Sequence, residues 1–224
     1  FPDVPRDDIP GLVIYVRVTA IDGVGNVLGS AGPCLVRPDA QDNLPALGVM
    51  RFDEADLANL EASGRLQTVI LHEMLHVLGF GTIWTDNGVL DSTNVSDPRF
   101  TGPRARAACA NVHSGGANCA TNVPVHAADG EGSAFSHWRE SLFTNELMTP
   151  FLTAGATPFS EMTIRSLADL GYAISVTQAQ PFTVSGTALR AEPTIAEQGI
   201  RLGEPLRPRW KLDNSGDLVP YRPR

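Results

Sequence analysis

The chain of 224 residues is 42% hydrophobic and 19% charged, a balance that suits a folded globule and excludes global disorder. Its net charge of -8 lacks the basic footprint of a nucleic-acid binder, and no apolar run reaches the length of a membrane span. The length fits one domain of two lobes, or one domain with an appendage.

Residues 11–20 alternate as a strand, with Leu12, Ile14 and Val16 opposite Val13, Tyr15 and Arg17. A turn over 21–30, a short strand ended by Pro38 and a further strand over 44–53 follow. Asp53 is a good N-cap for a helix over 54–62 that Gly64 ends. A second helix is predicted from about Arg65 to Leu78, with Leu66, Val69, Ile70, Leu75 and Leu78 on its apolar face and Gly79 as its stop. From Trp84 to about Gly132 the chain is rich in Gly, Ala, Asn, Asp and Ser and has no sustained period, which reads as a long functional insertion with some local structure. Within it, Cys109 and Cys119 can close a disulfide, leaving Cys34 as a buried small hydrophobe; an odd cysteine count fits a secreted protein. Dense patterning returns over 136–150, and Ser160 caps a helix that ends at Gly171. From about Ser175 the chain is Pro/Arg-rich and is expected to be an extension or linker with at most short strands. The chain opens on Phe1 rather than Met, as expected of a processed or trimmed product.

The chemistry lies in LHEMLHVLGFG, residues 71–81. His72 and His76 stand four apart, one above the other on a single helix face, so two neutral imidazoles can grip one metal ion. Glu73, beside the first of them, can reach a metal-bound water without ligating the metal. Imidazole ligands suit zinc, which lowers the pKa of its water and leaves Glu73 to take the proton. A catalytic zinc needs a third protein ligand and an open position. In the HExxHxxGxxH pattern Gly79 is in place, but Thr82 stands where the third histidine belongs. His113, His126 and His137 remain as candidates, with the acidic residues Glu140 and Glu146 as alternatives of another type. Asp86, Asn87, Asp91 and Asp97 could offer oxygens to a calcium ion, but they depart from the EF-hand order and read better as a solvated loop. His113 and His126 read as loop surface.

The sequence resembles the leishmanolysin-type metalloproteases, metzincins in which a long insertion separates the HExxHxxG helix from the third histidine. The resemblance rests on HEMLHVLGFGTIW (His72–Trp84), GSAFSHWRESLFTNELMTP (Gly132–Pro150) and SEMTIRSLADLGY (Ser160–Tyr172), with VLGSAGPCLVRP upstream. It covers roughly residues 10–175. It implies His72, His76 and His137 as ligands of one catalytic Zn2+, Glu73 as general base and Met148 as the Met-turn residue beneath the imidazoles. Arg139 departs from the family, where an acidic residue is expected, and should affect only a surface contact. Phe135 and Trp138 should anchor the third-ligand segment in the core.

The implied fold is α/β (α+β), a two-lobed metzincin with a twisted sheet and the HExxH helix above, and the insertion and Met-turn below. A catalytic domain over 1–174 (upper lobe about 1–80, lower lobe about 81–174) and an extension over 175–224 are expected. Substrate should cross the cleft and pair with an edge strand, for which residues 44–53 are the candidate. The implied function is a secreted or cell-surface zinc endopeptidase, monomeric, acting on protein or peptide substrates; the alternative is a non-catalytic zinc-stabilised adhesin or binding module.

Overall fold

The computed structural model describes residues 9–112, 119–127, 133–184, 200–203 and 205–222. Three strands open the chain: β1 (Val13–Thr19), β2 (Gly29–Val36) and β3 (Pro45–Asp53). Strand β3 pairs parallel with β1 and antiparallel with β2. The turn between β1 and β2 is pinned by the carboxylate of Asp53, which accepts from the backbone N–H groups of Asp22 and Gly23 while also capping helix α1 (Glu54–Ala62) at Ala55. One residue thus ends a strand, starts a helix and holds a distant turn, in agreement with its predicted role as N-cap.

Helix α2 (Leu66–Val77) lies against β2 and β3. Its side chains enter two apolar clusters. Val69 and Val77 join Leu28, Met50, Phe52 and Leu60 under the sheet, whereas Leu75 joins Phe80, Trp84, Phe100, Trp138 and Phe143 on the other side. The polar His72, Glu73 and His76 fall at the boundary between these clusters and are fully buried.

The predicted insertion is more regular than its composition suggests. Short strands β4 (Leu90–Asp91), β5 (Arg99–Phe100) and β6 (Val123–Pro124) form an antiparallel sheet. Helix α3 (Pro103–Val112) packs on α5 (Glu161–Asp169). The buried face of α3 is built from Ala105, Ala108, Cys109 and Val112, side chains too small to give a strong hydrophobic period. Its N-terminal donors, the N–H groups of Arg104 and Ala105, are satisfied by the carboxylate of Asp169, more than sixty positions away. The predicted disulfide between Cys109 and Cys119 is present, and Cys34 is a half-buried free thiol. His113 lies outside the described residues.

Helix α4 (Glu140–Phe143) and strand β7 (Phe151–Leu152) complete the region before α5, and Ser160 caps α5 by accepting from the Thr163 N–H. Beyond residue 175, three short strands among the described residues return to the body. Strand β8 (Ile200–Arg201) pairs with β7, β9 (Trp210–Leu212) adds parallel to β2, and β10 (Leu218–Pro220) pairs with β9. The main sheet therefore runs β1-β3-β2-β9-β10. Residues 44–53, expected at an edge, are interior: β3 has partners on both sides. The strand with the more extensive contact to the histidine helix is β2. Among the described residues no helix is long and apolar enough to cross a membrane.

Candidate metal centre

Helix α2 presents His72 and His76 one turn apart, and the chain after it must reverse to bring a third group beneath them. Gly79 makes the reversal at φ 106°, where a Cβ would crowd Ile83. Gly81, at φ 72°, lets the backbone approach so closely that any Cβ would overlap the Ser136 carbonyl. Both positions need glycine for conformation, and Gly81 also for the contact. Thr82 donates its hydroxyl to the His76 carbonyl, 2.9 Å away, and so serves a helix-end acceptor rather than a metal. The contact at Gly81 sets the segment that carries His137.

The three imidazoles converge. Nε2 of His76 lies 3.0 Å from Nε2 of both His72 and His137, and His72 and His137 are 3.2 Å apart at the same atom. Each ring turns its other nitrogen to a backbone carbonyl: His72 Nδ1 to Leu147 O at 2.8 Å, His76 Nδ1 to Phe80 O at 2.9 Å and His137 Nδ1 to Ser133 O at 3.1 Å. A carbonyl can only accept, so each Nδ1 carries the proton and each Nε2 presents a lone pair. Three lone pairs cannot hydrogen-bond to one another, and a cation is what such a cluster accommodates. The donor set therefore fits a metal ion. Among the described residues it is the only group of three or more His, Cys, Asp or Glu side chains so placed. Burial lowers the pKa of all three, His72 to about 4, so the rings are neutral, as ligation requires.

Glu73 is fully buried, and neither carboxylate oxygen has a hydrogen-bond partner among the described residues. Desolvation pushes its pKa well above the usual carboxylate range. The backbone at Gly29 and at Gly203 lies directly against its carboxyl group, where a Cβ at residue 203 would collide with Oε1. An unpartnered buried carboxylate is a costly feature for a fold to retain without use.

Glu146, weighed from sequence as a third ligand, has a different position. It accepts from the Met148 N–H at 2.6 Å, from the Ser160 N–H and hydroxyl at 3.2 and 2.6 Å, and from the Thr163 hydroxyl. Thr163 Oγ1 in turn accepts from Trp138 Nε1 at 2.8 Å, and the Trp138 N–H donates to Met148 O at 2.9 Å. One buried carboxylate thus ties the Leu147–Met148 turn to α5 and to the residue following His137. Met148 is fully buried in the cluster with Phe80 and Trp138. Glu140 is buried in α4, outside the imidazole cluster.

Several expectations need correction. Arg139 is buried: its guanidinium pairs with Asp97 at 2.6 Å and donates to the Val125 and Pro98 carbonyls. It clamps the insertion onto the third-histidine segment and is no surface contact. His126 is also buried, at the same junction, where its backbone N–H donates to His137 O. Trp138 is fully buried as expected, while Phe135 is only half-buried and sits at φ 61°. Asp91 and Asp97 serve Thr93 and the two arginines Arg99 and Arg139, and Asn87 bonds Asn43 and the Asp42 carbonyl. None of these joins a described cation cluster with Asp86.

The mixed architecture, the HExxH helix and the convergent histidines are those of a metzincin-type peptidase fold. A sequence model of the leishmanolysin peptidases matches residues 8–188, and the chain belongs to that family. It is 30% identical over 171 residues to a leishmanolysin of Leishmania donovani and 29% identical over 171 residues to one of Leishmania chagasi; each match covers 74% of this chain and 28% of the relative. A leishmanolysin of Leishmania major is 28% identical over 165 residues, 71% of this chain and 26% of its own length. The chain thus spans little more than a quarter of the curated relatives it matches.

Proposed function

We propose that this chain is a zinc-dependent endopeptidase unit that hydrolyses peptide bonds of protein substrates. The observation that carries the reading is the pairing of three convergent imidazole lone pairs with an adjacent carboxylate that has no hydrogen-bond partner among the described residues. Zinc, when bound by His72, His76 and His137, supplies Lewis-acid polarisation and a water of lowered pKa. Glu73 then takes a proton at its carboxylate from the attacking water and returns it to the leaving amine. Its burial favours this role, since desolvation raises its pKa above the ordinary carboxylate value and makes it a stronger base. The carbonyls of Leu147, Phe80 and Ser133 keep the rings in one tautomer throughout. An oxidising, extracellular location belongs to the same proposal and is supported by the Cys109–Cys119 disulfide.

The complete burial of Glu73 and the imidazoles would also suit the second reading, a zinc-stabilised binding module. Cleavage of unfolded casein separates the two, measured before and after chelation and zinc return, in the wild type and in the opened variants defined below. Chelator-sensitive, zinc-restored cleavage that Glu73→Ala abolishes is expected. Near-normal turnover by Glu73→Ala would sink the role given to that residue.

A further inference from the structure

Residues 200–203 and 205–209 run across the metal centre between two walls. On one side the N–H groups of Leu28 and Gly29 donate to the carbonyls of Arg201 and Leu202 at 3.2 and 3.1 Å. On the other the Leu202 N–H donates to Pro150 O at 3.0 Å, and Ile200 and Arg201 pair with Leu152 and Phe151. Further along, the N–H groups of Leu206 and Arg209 donate to Ala31 O and Cys34 O. The segment therefore extends β2 on its outer edge and simultaneously closes onto the strand that follows the Met148 turn. Leu202 is fully buried among Leu28, Val69 and Leu152. Gly203 places bare backbone on the Glu73 carboxyl, and Arg207 donates to the Gly81 and Thr82 carbonyls at the end of the histidine helix.

We propose that residues 200–203 and 205–209 form an internal strap that fills the peptide-binding cleft between β2 and β7, so that this conformation of the chain is self-blocked. The inference rests on the peptidase reading above. Its ground is chemical: a hydrolytic site must admit an extended peptide and a water to its base, yet His72, Glu73, His76 and His137 are all 0% exposed. Backbone pairing with both walls is the mode by which an extended peptide is held in a cleft. The occupant here runs parallel to β2, with Gly29 opposite Gly203. Residue 203 must be glycine because only an absent side chain fits over Glu73 and the Gly29 carbonyl. The hold is discontinuous: Ile200 and Arg201 alone pair with β7, and single backbone bonds at Leu28, Gly29, Ala31 and Cys34 hold the other side, so the segment can open locally while the core stays folded.

The test uses the full chain loaded with zinc, and a small peptide hydroxamate as a metal-directed probe whose binding needs no turnover. Leu202→Asp puts a charge into the apolar seat of the strap, and Gly203→Asp sets a carboxylate against Glu73. Each variant should bind the hydroxamate at least tenfold more tightly than the wild type by calorimetry, and a free peptide IRLGEPLRPR should compete with it. In the wild type, saturating hydroxamate should hasten amide exchange at Leu202 and Leu206. The strap is overturned if folded, zinc-replete variants bind the probe no more tightly, or if those amides stay protected with the probe bound. The wild-type measurement decides the matter even if both variants misfold. Tighter probe binding without casein cleavage in any form would leave the strap standing and remove the endopeptidase reading instead.

Discussion

The Nδ1 of His72 donates to the carbonyl oxygen of Leu147 at 2.8 Å, across 75 positions of sequence. This bond fixes the tautomer of a candidate ligand, and it comes from the turn that Glu146 organises. Removing Glu146 would leave the Met148 N–H and the Ser160 and Thr163 hydroxyls short of an acceptor. Glu146→Ala should therefore lower stability by about 3 kcal/mol, the range for a buried hydrogen-bonded charge. It should also weaken zinc binding roughly 10- to 100-fold, as loss of an orienting partner does. Urea unfolding and chelator competition check both numbers. Unchanged zinc affinity would reduce Glu146 to a purely structural role.

His137→Ala should abolish tight zinc binding, because two imidazoles remain and the fold supplies no other described ligand at that point. Glu140→Gln should leave zinc affinity within about twofold, since Glu140 stands outside the cluster. Tight zinc binding by His137→Ala, measured by competition with a chromogenic chelator, would refute the assigned ligand set.

Glu73→Gln should cost roughly 10²- to 10⁴-fold in turnover, the usual scale for loss of a general base, measured in a Leu202→Asp background. The metal-free protein should respond in the opposite direction. Burial raises the Glu73 pKa, so its contribution to stability is full below the unfolded value near 4.5 and is lost as pH rises through the folded value. Glutamine carries no such loss. The thermal midpoint of metal-free Glu73→Gln should exceed that of wild type by a margin that grows from pH 4.5 to neutrality. A constant margin would show that the carboxyl is not desolvated in solution.

Histidine titration gives a window of the other sign. Burial lowers His72 from about 6.5 to about 4, and lowers His76 and His137 well below their ordinary value. Between those limits the unfolded chain takes up protons that the folded chain refuses. The histidine contribution is thus complete above pH 6.5 and is lost progressively as pH falls toward 4, by about 3 kcal/mol for His72 alone. Protons also compete with zinc only once the folded rings accept them. Zinc affinity should accordingly hold to about pH 5, and a decline beginning at 6.5 in metal-buffered titrations would contradict the burial of the site.

Replacing Cys109 and Cys119 with alanine should lower stability by about 3 kcal/mol, the expectation for a loop of this length. The change falls on α3 and the insertion, so zinc affinity should move far less than stability does. Parallel unfolding and zinc titrations of the double variant measure the separation.

The local rules of the chain determined much of this protein. Asp53 and Ser160 cap the helices predicted for them, Gly64, Gly79 and Gly171 take up positive φ at helix ends, and the four-residue spacing puts His72 and His76 on one face. These depend on interactions within a turn or two, which sequence displays directly. His137 was singled out only by resemblance, because its proximity to His76 is made by the fold around Gly81 and Ser136. Helix α3 leaves little trace in the sequence because its cap is Asp169 and its buried face is built from the small side chains of Ala105, Ala108, Cys109 and Val112. The burial of Arg139 is not legible in the sequence because its partner, Asp97, lies in a loop whose path no periodicity reveals. The pairing of β3 on both sides, and the return of residues 200–203 over Glu73, are decided by tertiary structure alone. Strand neighbours and cleft occupants are long-range choices, made by which backbone groups and apolar surfaces remain unsatisfied after local structure has formed.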